Sequence, residues 1–558
     1  MFQMLKATTM MGFAALIVAS PAPRSNSARR VACLTTTVSG PVQGLDQGTT
    51  CGFLGIPFAA TTGGQNRWKP PQPVTPWTTT LPVTAGTGNC ASLNGTTPQG
   101  SEDCLKLNVW VRNPLPAGGA PVIVWIHTGS FTGASANFAG TNGRKLAEEM
   151  GVIVVEANYR LGAFGFLAHR ALEGEDGARQ STGNYGLLDQ RAAMQWVRDN
   201  IQFFGGDPNN VTLGGTSAGG QSVGLHMVSP GSAGLFHHAI IESAYPTSRW
   251  KSRQTALGQG DQFATALGCT VPSQAAACLR GKTQNQVLLA VPQGNAQVLE
   301  QANAIFWEPV VDGVEIPDQP RRLFQLGEFA HVPAIVGTNR DEGWGSFITR
   351  SFPSPVTEAQ YLAWLATEFG DEAPNVLAMY PLSAFPSPQE AMARVVGDGQ
   401  FVCEARRLAD LIADGGLRGL GPHPEHDTGK REKMPVFMYS YEYVLNDLSP
   451  GHVIHGVETN IIFGNAYSTP QFAANHALTA DDLQLHAAME SYWTLFAAAG
   501  DPNHPALTPW PDYRKNHNNY LTFDVQLSPG VDQRQDACAF WSRLFLQSML
   551  SGAPASAP

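Results

Sequence analysis

The sequence predicts an α/β fold: a central, mostly parallel twisted sheet flanked by helices, with large loop and helical insertions. Three observations predict it. Strand-like apolar runs alternate along the chain with segments of helical spacing, the order expected of parallel strands joined by crossover helices. Two of those runs, "PVIVWIH" (121–127) and "GVIVVEANY" (151–159), are almost continuously apolar, as strands covered on both faces must be. The composition suits a sizeable core with long structured loops: 558 residues, 43% hydrophobic and only 14% charged, with 58 Gly and 40 Pro. That charged share is well below the roughly 25% usual in globular chains.

Taken in order, the elements begin with a leader. "MFQMLKATTMMGFAALIVAS" carries one basic residue, Lys6, before a largely apolar run. It is too short for a membrane span and reads as the apolar region of a secretory signal, assigned to residues 1–28 with the cleavage point open. The rival reading is a frayed N-terminal helix. "CLKLNVWV" (104–111) alternates apolar and polar and reads as a strand, followed by the two buried runs above. "LLDQRAAMQWVRDNI" (187–201) has helical spacing. "NVTLGG" (210–215) is a short strand and "QSVGLHMV" (221–228) opens a helix. "HHAIIES" (237–243), "VPAIVGT" (332–338) and "PVFMYSYEY" (435–443) read as further strands, and "DLQLHAAMESYWTLFAAAG" (482–500) as a late helix stopped by Gly500. With no internal repeat and no long linker, residues 29–546 are expected to form one domain, and 547–558 a disordered tail.

The net charge of −10, with no Lys/Arg-rich run, argues against a nucleic-acid partner. No stretch beyond the leader is long and apolar enough to span a bilayer, and the expected location is secreted or periplasmic. Eight cysteines, an even number, suit disulfides in an exported protein. None forms a CxxC pair or a Cys/His cluster of zinc-like spacing, so the sequence implies no metal and no cofactor. Spacing suggests Cys90 with Cys104 and Cys269 with Cys278 as short loops, but spacing alone does not fix connectivity.

The pattern G-x-S-x-G occurs twice, as "GTSAG" (215–219) and "GQSVG" (220–224). A nucleophile elbow needs a strand, a sharp strained turn carrying the serine, and then a helix. Ser217 directly follows a strand and precedes a helix. Ser222 already lies inside that helix, where its hydroxyl is expected to serve the helix backbone.

From this point the chain resembles the type-B carboxylesterase, cholinesterase-like family. "FFGGDPNNVTLGGTSAGGQSVGLHMVSP" (203–230) is similar to that family's nucleophile region and "SEDCLKLNVW" (101–110) to its second signature. "FLGIPFA" with "RWKPPQP" (53–73), "ANYRLGAFGFL" (157–167), "GNYGLLDQRAAMQWVRDNI" (183–201), "FWEPVVDG" (306–313), "GTNRDEG" (337–343), "HGVETNIIFG" (455–464) and "YWTLFAAAGDPN" (492–503) follow the same order. The resemblance implies the α/β-hydrolase fold, whose triad runs Ser, acid, His along the chain. It assigns Ser217 as nucleophile, Glu342 as acid and His455 as base. Asp341 and His452 are close neighbours, and spacing unaided does not choose between the pairs. The resemblance also implies the disulfides Cys90–Cys104, Cys269–Cys278 and Cys403–Cys538, leaving Cys33 and Cys51 to pair by elimination; free reactive thiols are the rival reading for that pair. Arg67 with Glu102 is expected to be a structural ion pair, Arg160, Asp207 and Glu458 scaffold or supporting charges.

The chemistry follows from the residue types. A serine hydroxyl needs an adjacent base to attack at neutral pH, and an imidazole titrating near about 6.5 can take and return the proton. A carboxylate orients the ring and stabilises the imidazolium. The oxyanion needs fixed N–H donors, which the resemblance places at Gly129, Ser130 and Ala218. Two departures stand out. "WIHTGSF" (125–131) puts Thr128 where relatives carry the first glycine of a run, and a β-branched residue resists positive φ. Thr216 stands where most relatives have Glu beside the serine, which implies a site less suited to cationic substrates. The loop between Cys90 and Cys104, "ASLNGTTPQGSED", has no aromatic residue, so a choline-ester role is not expected. The segment 345–435 is expected to supply helices shaping the pocket. The expected substrate is a small-molecule or polymeric carboxylic ester. The alternatives are a non-catalytic binding protein on the same fold and a hydrolase of amides, thioesters, lactones or polyesters, which the triad alone does not separate.

Overall fold

A computed structural model describes residues 33–174, 181–290, 307–345, 355–416, 433–445, 448–465, 479–514 and 518–551. The expected leader, 1–28, lies outside the described residues, as do the end of the expected tail, 552–558, and part of the 345–435 segment.

Eleven strands form one sheet. In chain order they are β1 (Leu45–Asp46), β2 (Thr50–Pro57), β3 (Lys106–Arg112), β4 (Ala120–Ile126), β5 (Ile153–Ala157), β6 (Gly206–Thr216), β7 (His238–Glu242), β8 (Ala334–Asn339), β9 (Val436–Tyr441), β10 (Asn519–Phe523) and β11 (Ser528–Val531). Their spatial order is β11-β10-β9-β8-β7-β6-β4-β5-β3-β2-β1. The block from β10 to β5 is parallel throughout, and the strands outside it pair antiparallel. Register is continuous in the centre: Leu213 lies opposite Val124 on one side and Ala239 on the other.

The near-continuous apolar runs divide by the twofold period of a strand. Val122, Val124 and Ile126 of β4 join one core, while Ile123 and Trp125 join the other. The first core is covered by helices α2 (Tyr185–Asn200), α3 (Ala218–Val228) and α4 (Cys403–Asp414), through Met194, Val197, Val223, Met227, Leu408 and Ile412. The second is covered by α1 (Arg144–Met150) and α5 (Ala480–Ala499), through Leu146, Leu485, Met489, Trp493 and Phe496. At roughly 1.5–3 kcal/mol per fully buried large apolar side chain, these two layers are the main source of the sheet's stability. Helix α5 stops where expected, with Gly500 in the left-handed conformation at φ 69°.

A third core gathers the helices Glu358–Phe369, Ala373–Met379 and Pro388–Val396 against α6 (Gln535–Ser551), whose Trp541 is fully buried. The Cys403–Cys538 disulfide ties α4 to α6. Cys33 pairs with Cys51, Cys90 with Cys104, and Cys269 with Cys278. Helix α6 runs to Ser551 and so takes in the first residues of the segment expected as a tail. "SRLFLQSMLS" is composed mostly of helix-compatible residues, and the first strong breakers, Gly552 and Pro554, come after it.

Candidate active site

In a parallel α/β sheet the loops beyond the carboxyl ends of the strands gather at one edge. Strands β4, β6 and β8 end there at Ile126, Thr216 and Asn339, and the residues that follow each of them build the site.

Ser217 occupies the turn between β6 and α3 at φ 59°, ψ −122°. That is a strained conformation for a residue with a side chain. It is held by its own N–H donating to the Glu242 carbonyl (2.9 Å) and its carbonyl accepting from the Gln221 N–H (2.8 Å). The flanking glycines are required by the close approach of strand and helix. A Cβ on Gly219 would lie 2.0 Å from the Ile126 carbonyl oxygen, and one on Gly215 would lie 2.6 Å from the Gly219 backbone. Ser222, in the second pattern, is fully buried. It donates to the Ala218 carbonyl one turn back (2.8 Å) and accepts from Gln190 Nε2 (3.1 Å).

Glu342 lies in the turn after β8 and is fully buried. Its Oε1 accepts the Asn339 backbone N–H (2.7 Å). Its Oε2 accepts from His455 Nδ1 at 2.6 Å, which fixes the imidazole tautomer, because an ionised carboxylate can only accept. The half-buried His455 ring packs against Phe401 at 5.1 Å between centroids, so the 345–435 segment does reach the site. Asp341 and His452 face elsewhere. Asp341 accepts from Arg340 (2.8 Å), Arg394 (3.4 Å) and the Val453 N–H (3.0 Å). His452 stacks on Trp344 at 3.8 Å. "WGSF" thus contributes Trp344 to this neighbouring cluster, while its residues 346–347 lie outside the described residues. Phe324 and Phe329 of "FQLGEF" pack against each other, tilted, at 4.9 Å within the core.

After β4 the backbone turns left-handed at Gly129 (φ 112°), Ser130 (φ 53°) and Phe131 (φ 59°). Thr128 is not among the positive-φ residues, so its β-branched side chain is accommodated, and the strain falls one and two residues later. A Cβ on Gly129 would lie 2.3 Å from the Gly133 carbonyl oxygen. The loop is braced by Thr132 and Gly133 N–H groups on the Gly129 carbonyl (both 3.0 Å) and by the Gly162 N–H on the Phe131 carbonyl (2.8 Å). His127 stacks on Tyr159 at 4.3 Å. Burial pulls its imidazole down to about 4, so it is neutral and its Nδ1–H donates to the Thr128 carbonyl (2.8 Å). Among the described residues, none accepts a hydrogen bond from the N–H of Gly129, Ser130 or Ala218.

Behind the serine lies a buried polar layer, of which the sequence pointed to Thr216 and Glu458 but not to Glu242, Thr459 or Trp493. Thr216 Oγ1 donates to Glu242 Oε2 (2.7 Å) and contacts Thr459 Oγ1 (2.8 Å), linking the elbow to the segment just after His455. Trp493 Nε1 donates to Glu242 Oε1 (2.8 Å). Glu458 accepts from Ser243 Oγ (3.0 Å) and Asn339 Nδ2 (2.6 Å). Burial first, then a neighbouring carboxylate, raises both Glu242 and Glu458 above the usual range. A lone Glu at the end of a strand carries no pattern that could have announced Glu242. Farther off, Arg67 Nε donates to Glu102 (2.7 Å) and Nη1 to the Lys282 carbonyl (2.7 Å), a structural clamp. Arg160 Nε likewise donates to buried Asp189 (2.7 Å).

A mixed sheet of this order, with a strained serine on the turn after β6, is that of the α/β-hydrolase fold, and the similarities of the chain define its class, the serine carboxylic-ester hydrolases. The chain belongs to the carboxylesterase family, whose family model matches residues 30–541. It is 32% identical to an acetylcholinesterase of Bungarus fasciatus over 92% of this chain and 87% of that protein. It is 30% identical to an acetylcholinesterase of Electrophorus electricus over 92% of this chain and 88% of that protein. A solved structure described as a thermophylic PNB esterase superposes with a TM-score of 0.78 at 30% identity, covering 91% of this chain and all of that one.

Proposed function

We propose that the protein is an exported esterase that hydrolyses neutral carboxylic esters through an acyl-enzyme on Ser217. Ser217 Oγ attacks the ester carbonyl as His455 Nε2 takes its proton. Glu342 holds the ring through Nδ1 and stabilises the imidazolium. The N–H groups of Gly129, Ser130 and Ala218 receive the oxyanion, a contribution of typically about 10²–10³ in rate per donor. His455 then protonates the departing alcohol, and water, activated by the same imidazole, releases the acid. The observation that carries this reading is the 2.6 Å contact between His455 Nδ1 and a fully buried Glu342, at the sheet edge that also bears the strained serine.

Neutral substrates are favoured by Thr216. The relatives' carboxylate beside the serine is replaced by a hydroxyl whose buried partner, Glu242, is biased toward its protonated form. No aromatic residue in the 91–103 loop offers a cation–π contact, so the choline esters named in two relatives are not the expected substrates. Export is supported by the leader and by four disulfides. Among the described residues no helix is long and apolar enough to cross a membrane.

The test is hydrolysis of short and long p-nitrophenyl esters by the parent and by Ser217→Ala. The parent turns over at least one ester, and the variant loses about 10⁶ in kcat. An inactive parent, or a Ser217→Ala protein that keeps the parental rate, overturns the reading.

A further inference from the structure

On the second face of the sheet, Glu149, His486 and Glu490 bring one imidazole and two carboxylates together, with ligand atoms all within 4.8 Å of one another. Among the described residues no other group of three or more His, Cys, Asp or Glu side chains meets this spacing. His486 and Glu490 are one turn apart on α5 and present the same helix face. Glu149 comes from the last turn of α1, more than 330 residues earlier in the chain.

The imidazole is prepared as a ligand. Its Nδ1–H donates to the Ile461 carbonyl (2.7 Å), which leaves the Nε2 lone pair aimed at the carboxylates. This second hydrogen bond is the one that metal-binding histidines characteristically make. The side chain is 4% exposed. Nε2 is buried 3.4 Å from Glu490 Oε2 and 3.8 Å from Glu149 Oε2, with a hydrogen bond to neither. Those separations are close to the ~3.3 Å edge of a tetrahedron with ligand bonds of about 2.0–2.1 Å. Glu490 Oε1 is likewise buried without a hydrogen-bond partner. Lys145 lies 3.8 Å from the other Glu149 oxygen, Oε1, and leaves Oε2 facing the imidazole. One lysine against two carboxylates leaves the cluster short of positive charge.

We propose that Glu149, His486 and Glu490 bind a divalent transition-metal cation, with zinc as the best match. An imidazole with two carboxylates suits zinc, whereas calcium and magnesium prefer all-oxygen shells. The ion joins α1 to α5 and, through the Ile461 carbonyl, to the short helix Glu458–Ile462 that follows His455. Its role is to brace the segment that carries the catalytic histidine rather than to take part in the reaction.

The experiment uses tag-free, chelator-treated full-length protein titrated with zinc chloride, read by calorimetry and by thermal unfolding. The parent binds one equivalent saturably and its Tm rises with zinc concentration. Glu149→Gln, which changes an exposed residue and leaves the core intact, weakens binding about tenfold or more, and Glu490→Gln does the same. No saturable binding by the parent, or equal binding by parent and Glu149→Gln, overturns the proposal. Loss of esterase activity in Ser217→Ala bears only on the function above and leaves this site untouched.

Discussion

Asp341 and Glu342 are neighbours in the chain, and His452 and His455 are three residues apart. The two acid–histidine pairs they form nevertheless sit in opposite electrostatic surroundings. Asp341 is shared between two guanidinium groups and a backbone N–H, and its nearest contact with His452 is 3.8 Å. Glu342 is fully buried, receives one neutral backbone N–H, and gives its second oxygen to His455 at 2.6 Å. A carboxylate already neutralised by arginines has little left with which to stabilise an imidazolium. One kept in low dielectric with neutral donors keeps its charge for the ring. Identity and spacing thus supply two candidate pairs, and the surroundings favour Glu342 and His455 as the proposed catalytic one.

The largest expected effect that sharpens this contrast is at the histidines. His455→Ala should lower kcat by about 10⁴ or more, while His452→Ala should leave kcat close to the parent, measured on the same p-nitrophenyl ester. Comparable losses in both variants would erase the distinction between the pairs.

A smaller effect concerns the carboxyls behind the site. A carboxyl whose folded pKa is raised keeps its proton in the folded chain at pH values where the unfolded chain, with an ordinary value of 4.5, has lost it. Its contribution to stability therefore falls as pH rises above that ordinary value. Glu242→Gln removes the titration, so the variant's stability relative to the parent should increase from about pH 5 to about pH 8. Denaturant unfolding at both pH values measures this; a difference that stays constant or reverses would place Glu242 outside the raised-pKa group.

Much of this was legible in the chain. The strand, the paired glycines and the following helix mark Ser217 because close backbone approach leaves no alternative to glycine at 215 and 219. The same logic demotes Ser222, whose hydroxyl is absorbed by its own helix. The largely parallel sheet followed from apolar runs that two helical layers must cover. What was not legible depends on tertiary surroundings. Locally only Arg340 separates Asp341 from Glu342; the rest of the difference lies in Arg394 and Val453, more than 50 residues away. The loop at Thr128 shows strain displaced onto Ser130 and Phe131, a backbone solution that composition does not encode. Glu242 takes its role from Thr216, Thr459 and Trp493, none of them its neighbours in sequence. The Glu149–His486–Glu490 group likewise exists only once α1 and α5 meet on one face of the sheet.

The most direct test of the central claim is kcat for Glu342→Gln and Asp341→Asn side by side on one ester. Glu342→Gln keeps the shape but loses the charge and the tautomer control, and kcat should fall by about 10⁴, with Asp341→Asn remaining near the parental value. Equal rates in the two variants, or the larger loss in Asp341→Asn, would contradict the assignment.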